Sequence, residues 1–168
     1  GIVSWCTLGG AGRGLYVMRG TLYAVAGSTL YKIDEHGGAT SLGAVSGSGK
    51  LMFAGNGVEI VLSNKSIFAN GTVSAITDPD LPAISAIGYL DGYVVYSESG
   101  TGKWGCSELY SGATYDALDF ASAEAYPDDL VTLAVDHRQV LLFGQETTEI
   151  WWNSGAGSTQ RVDLENGD

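Results

Sequence analysis

Apolar and polar positions alternate along this chain in short runs cut by turn residues, and one phrase recurs four times: turn, apolar run, turn, apolar run. The copies are Gly20-Thr21-Leu22-Tyr23-Ala24-Val25 with Leu30-Tyr31-Lys32-Ile33, Gly57-Val58-Glu59-Ile60-Val61-Leu62 with Ser66-Ile67-Phe68, Asp91-Gly92-Tyr93-Val94-Val95-Tyr96 with residues 104–109, and His137-Arg138-Gln139-Val140-Leu141-Leu142-Phe143 with Glu149-Ile150-Trp151-Trp152. From Gly20 to Gly57 to Gly92 to Arg138 the steps are 37, 35 and 46 residues. Alternation over runs this short predicts strands, and such steps suit four-stranded blades of roughly 40 to 50 residues. The pattern therefore predicts an all-β chain, a β-propeller-like stack of about four four-stranded antiparallel blades. A blade cannot cover both its faces alone, so neighbours must stack on it.

Read as a single propeller-type domain, the chain divides into units at residues 15–50, 51–82, 83–129 and 130–164, preceded by an extra strand over residues 2–8. The first unit predicts strands at 15–18, 22–25, 30–33 and 39–42, and the second at 51–54, 58–63, 66–69 and 72–76. Asn56-Gly57 and Asn70-Gly71 are strong two-residue hairpin signals, because both residues tolerate positive φ. The third unit predicts strands at 85–90, 93–97 and 104–109 and then loses its rhythm: residues 115–124 are rich in Ala and alternate poorly, which suits an irregular loop or a short helical turn. Strands at 130–135, 140–144, 147–152 and 160–164 complete the fourth unit. The two prolines of Thr77-Asp78-Pro79-Asp80-Leu81-Pro82 mark a crossover between units two and three.

Composition agrees with many short strands joined by tight turns: 25 glycines, only 3 prolines, 9 tyrosines and 4 tryptophans in 168 residues. The charge is lopsided, with 19 acidic against 8 basic residues and a formal net charge of −11. Proteins that grip nucleic acid through its backbone set Lys and Arg against phosphates, so direct, sequence-specific or non-specific, nucleic-acid binding is not expected. No run approaches the roughly 18 apolar residues of a membrane-spanning helix, and no membrane contact is expected. A start at Gly1 and a polar end at Glu165-Asn166-Gly167-Asp168 suggest a piece of a longer protein. Cys6 and Cys106 have no zinc-type spacing and read as two buried thiols on strands, with a disulfide between them the unforced alternative.

The motifs that suggest chemistry fail on spacing. Gly43 to Lys50 resembles a phosphate loop, but five residues separate Gly43 from Gly49, and Leu51 rather than Ser or Thr follows the lysine. Gly9-Gly10-Ala11-Gly12-Arg13-Gly14 opens no helix and does not fit the dinucleotide fingerprint. His36 and His137 both fall in turns rather than in a partnered, buried setting. Asp78, Asp80, Asp116, Asp119, Asp128, Asp129 and Asp136 are numerous enough to supply a glycosidase pair, yet nothing sets any two apart. Asp78-Pro79-Asp80 and Asp128-Asp129 lack the spaced ligand pattern of an EF-hand. No catalytic residue, cofactor or metal is assigned. The expected contact residues are Tyr115, Asp116, Asp119, Phe120 and Tyr126 in the irregular insertion, with Trp151 and Trp152, whose rings must point to opposite faces of one strand.

The ordered set Tyr115-Asp116-Ala117-Leu118-Asp119-Phe120-Ala121-Ser122-Ala123-Glu124, Pro127-Asp128, Asp136-His137-Arg138, Leu142-Phe143-Gly144, Thr148-Glu149-Ile150-Trp151 and Asn153-Ser154-Gly155 resembles the packaged-DNA stabilisation proteins of short-tailed bacteriophages. Leu30-Tyr31-Lys32, Val45-Ser46-Gly47-Ser48-Gly49, Ile76-Thr77-Asp78-Pro79-Asp80 and Leu90-Asp91-Gly92-Tyr93 extend that resemblance upstream. It implies a non-enzymatic virion structural protein of the tail, made in the bacterial host cytoplasm. Several copies would form a hub that plugs the portal channel, retains packaged DNA and connects portal or head-completion, tail needle and tailspike proteins. It also implies a longer parent protein, of which this chain would be the N-terminal part, a fragment of a larger propeller. A carbohydrate-binding or glycoside-cleaving propeller is the alternative that the aromatics and loop carboxylates suggest.

Overall fold

The computed structural model describes residues 4–123 and 128–153. Within them lie fifteen strands and no helix: β1 (Gly12–Met18), β2 (Thr21–Ala26), β3 (Thr29–Ile33), β4 (Ala39–Ala44), β5 (Phe53–Gly55), β6 (Ile60–Leu62), β7 (Ser66–Ala69), β8 (Thr72–Ala75), β9 (Ile84–Leu90), β10 (Tyr93–Glu98), β11 (Lys103–Ser107), β12 (Tyr115–Ser122), β13 (Leu130–Asp136), β14 (Gln139–Gly144) and β15 (Thr148–Trp152). They form four antiparallel meanders in sequence order, β1 to β4, β5 to β8, β9 to β12 and β13 to β15. The expected all-β class with four blade-type sheets is present. The fourth sheet has three strands among the described residues, and the expected strand at 160–164 lies outside them. The chain packs as two compact units, Gly1–Ile76 and Thr77–Asp168.

The hairpins follow from local backbone chemistry. Arg19-Gly20, Asn70-Gly71 and Asp91-Gly92 place two successive residues at positive φ, the geometry whose twist matches that of the flanking strands. His137-Arg138 does the same at φ 47° and 64° without a glycine. Asn56-Gly57 departs from the expected two-residue turn. Gly55 pairs with Ile60, and Asn56 Oδ1 accepts the N–H groups of Val58 at 2.9 Å and Glu59 at 2.7 Å. The Asn side chain imitates a backbone turn there, which lengthens the loop to four residues and delays β6.

In the first unit, Tyr23, Val25, Leu30, Val45, Leu51, Ile60 and Leu62 form the core between the two sheets, with Tyr16, Met18, Phe53 and Phe68 packed against it. Tyr16 stacks on Phe53 with ring centroids 5.8 Å apart and planes 4° from parallel. Gly14 makes that approach possible, because a Cβ there would collide with the Phe53 ring. In the second unit β13 lies on β9 and β10. Gly88 leaves the gap: a Cβ at this position would sit 2.6 Å from Val135 Cγ2 and 3.1 Å from Leu133 Cδ1. Trp104 and Trp151 meet edge to face, centroids 5.2 Å apart.

Two expectations change. Ser4 to Leu8 form no strand, while Ile2 and Val3 lie outside the described residues. Residues 115–122, expected as a loop or helical turn, are the strand β12, the outer strand of its sheet. Its register jumps from Ser107↔Tyr115 to Gly105↔Phe120, so four residues of β12 face a single residue of β11. That irregularity breaks the period-2 pattern and explains why alternation failed to mark the strand.

Candidate contact surface

Three of the carboxylates that invited a chemical reading, Asp78, Asp116 and Asp128, accept backbone N–H groups. Asp78 Oδ1 accepts the Asp80 N–H at 2.9 Å, and its Oδ2 accepts the Tyr115 N–H at 3.0 Å, so it anchors the start of β12. Asp128 accepts the N–H groups of Glu146 and Thr147 at 2.8 and 3.1 Å and the Thr147 hydroxyl at 3.1 Å, closing the β14–β15 turn. Those bonds, led by the Glu146 N–H, hold its carboxyl below the ordinary carboxylate value. Among the described residues no group of three His, Cys, Asp or Glu side chains gathers to hold a metal ion. His36 and His137 are exposed in turns, where His36 approaches Glu35 and His137 approaches Asp136.

The connection over residues 45–50 inverts the logic of a phosphate loop. A phosphate loop aims N–H groups at an anion. Here the carbonyls of Val45, Ser46 and Gly49, with that of Gly27, accept hydrogen bonds at 2.8 to 3.3 Å from Arg13, which is only 5% exposed. The Arg13 guanidinium thus sits in a ring of backbone oxygens. Sequence reasoning passed over it, because an arginine between glycines carries no sign of burial.

The expected contact residues separate into core and surface. Tyr115 is buried, its ring edge against Tyr96 and its hydroxyl donating to Gly112 O at 3.1 Å. Trp151 is buried, and its indole N–H donates to Glu149 Oε2 at 3.0 Å. Neither ring is available to a partner as the chain stands. Trp151 faces inward because alternation on β15 turns it toward the packed sheet, whereas Tyr115 is paired with Ser107 at the start of β12, before the break in register. Asp116 is exposed and Asp119 half-buried on β12. Phe120 is 44% exposed with Lys103 Nζ 4.8 Å from its ring centroid. Trp152 is partly exposed on the outer face of its sheet, with Ile150 on the same strand and Val131 on β13 also exposed. Tyr126 lies outside the described residues. Leu118, the most exposed large apolar side chain on β12, went unpredicted because its neighbours obscure any alternation.

Cys6 and Cys106 are both free thiols, each half-buried rather than buried, and only Cys106 lies in a strand. Burial pushes the Cys106 thiol up to about 11, with Asp119 and Glu108 adding to the effect. A thiol so shifted stays protonated and is a poor nucleophile near neutral pH.

A family model described as bacteriophage P22 Gp10, β-propeller, matches residues 1–162. The chain belongs to this family. It is a phage protein of the packaged-DNA stabilisation class, and its blade-type sheets are those of the family's propeller. No curated protein sequence matches it. Among solved structures, its fold is similar to the computationally designed Ika4 protein, at a TM-score of 0.59 and 16% identity over 89% of this chain and 95% of that one. It is also similar to the designed Ika8 protein, at 0.57 and 17% over 84% and 45%. BamB from Moraxella catarrhalis matches at 0.61 and 14% over 85% and 44%. This P22 Gp10-type chain therefore spans under half the length of the Ika8 and BamB chains. At such identities the likeness is one of fold alone.

Proposed function

We propose that this chain is a rigid wall segment of a phage tail hub: it helps to plug the portal channel, retains packaged DNA and joins head-completion proteins above to needle and tailspike proteins below. The observation that carries this reading is the family match across residues 1–162, which takes in every strand of the four sheets. The role asks for shape rather than turnover. In keeping with that, both histidines are exposed in turns, and Asp78 and Asp128 are spent on closing loops. The charge of −11 also suits a part that blocks DNA without gripping it, because carboxylates repel phosphates and release no counterions.

Several copies of the parent protein would assemble in the virion after synthesis in the host cytoplasm. The solvent-facing residues of β12 and of the β13–β15 sheet, Phe120 and Trp152 among them, offer apolar area to such neighbours. The test is particle assembly without the full-length protein. Heads are expected to fill with DNA and then lose it, measured as nuclease-accessible genome against time. Particles that keep their DNA as long as wild type would overturn the role.

A further inference from the structure

Three connections meet at one end of the second unit. The Tyr110 N–H donates to Gly92 O at 2.8 Å, joining the β11–β12 connection to the β9–β10 turn. A Cβ at Gly92 would stand 2.6 Å from Leu109 Cδ1 and 3.1 Å from Tyr110 Cε1, so both side chains lie directly on that turn. From the β13–β14 turn, Arg138 reaches Asp91 through Nε and Nη2 at 2.9 to 3.2 Å.

This end is strained, braced and uncovered. Asp91, Tyr110, His137 and Arg138 are four of the seven non-glycine residues at positive φ among the described residues. The left-handed region is costly for a bulky side chain and persists only where its surroundings enforce it. Tyr110 adopts φ 57° while the residue stays 69% exposed, and Leu109 beside it is 49% exposed, so burial does not offset the strain. The connection is held rigid from below. The Glu108 N–H donates to Thr114 O, the Ser111 N–H and the Ser107 hydroxyl both donate to Glu108 O, and buried Ser107 Oγ accepts the Val94 N–H. With the backbone already fixed, engaging Tyr110 has only a side chain of two torsions to order, which is what makes tyrosines effective interface anchors.

Beside Tyr110 and Leu109, Glu108 forms no ion pair among the described residues, while at the two turns that meet here Asp91 is paired with Arg138 and Asp136 lies against His137, three carboxylates to one guanidinium in all. A second copy would bring the same acidic end on a chain of charge −11, and nucleic acid would be repelled too. We infer that this end of the second unit is a docking surface for a basic protein segment with an apolar pocket, Tyr110 being the anchor. The inference rests on the tail-hub reading and specifies one of its contacts.

The test uses the full-length protein carrying Tyr110→Asn, since asparagine accepts the left-handed conformation. Purified protein is added to particles assembled without it, and binding is titrated by co-sedimentation. Wild type is expected to bind, with affinity falling as NaCl is raised. Tyr110→Asn is expected to melt no lower than wild type yet bind at least about tenfold more weakly, as a lost anchor does. Glu108→Lys should weaken binding as well, and Val58→Ser, in the exposed β5–β6 loop, should leave it unchanged. The proposal is overturned by wild-type affinity in Tyr110→Asn, by a lowered melting temperature in that variant, by salt-insensitive binding or by no binding of wild type. Self-association that Tyr110→Asn abolishes would make a second copy the occupant and overturn it equally. Particles that keep DNA without the protein would refute the stabilising role alone, because co-sedimentation still reads the docking surface.

Discussion

Arg13 illustrates how a single residue organises a loop. Its guanidinium makes four hydrogen bonds to carbonyls of residues 27, 45, 46 and 49 and forms no ion pair among the described residues. A buried cation is tolerable only when its hydrogen-bond needs are met, and carbonyl dipoles meet them here. Replacing it by methionine keeps the apolar stem but leaves carbonyl oxygens without a donor. Arg13→Met should therefore lose about 3 kcal/mol, measured by urea unfolding. Arg13→Lys should not restore the loss, since one ammonium cannot match a planar fork aimed at four oxygens. Tyr115 teaches a related lesson: its position in an unpatterned stretch suggested a surface residue, whereas its ring is packed on Tyr96 and its backbone is held by Asp78.

Among the elements, the hairpin turns with a positive-φ glycine were the most legible from sequence and the edge strand β12 the least. Arg19-Gly20, Asn70-Gly71 and Asp91-Gly92 act through backbone preferences that need no tertiary partner, so their positions could be read directly. The strand β12 could not, because its pairing is broken between Gly105 and Ser107 and its outer positions, such as Leu118, face solvent. The β13–β14 turn carries an unspent possibility for stability. His137 occupies the first central position at φ 47°, where asparagine is at ease, and its own contact is an exposed pair with Asp136. His137→Asn should raise stability by about 0.5 kcal/mol, seen as a higher urea midpoint with an unchanged slope. A lower midpoint would show that the imidazole contributes more than the turn geometry costs.

For the molecule as a whole, alkaline pH is the predicted weak point of the second unit. Burial, with the nearby Cys106 next in effect, pushes the Tyr96 phenol up to about 12, and burial first pushes the Cys106 thiol up to about 11. Both groups bind protons more tightly folded than unfolded, so their contribution is complete below their ordinary values and declines as pH rises toward the shifted ones. Stability should therefore fall between about pH 9 and pH 12, reported by the fluorescence of Trp104 and Trp151 at the sheet contact. A flat profile across that window would contradict the burial of these groups. The sequence by itself determined the all-β class, the four meanders and most of their turns, since period-2 alternation and positive-φ dipeptides are properties of a few neighbouring residues. Tertiary structure alone decided that Arg13 lies inside, that Tyr115 and Trp151 are core while Phe120 and Trp152 are surface, and that Gly92, Tyr110 and Arg138 converge at one end. Burial and convergence depend on which distant strands come to lie against a residue, and no local pattern of polarity encodes that.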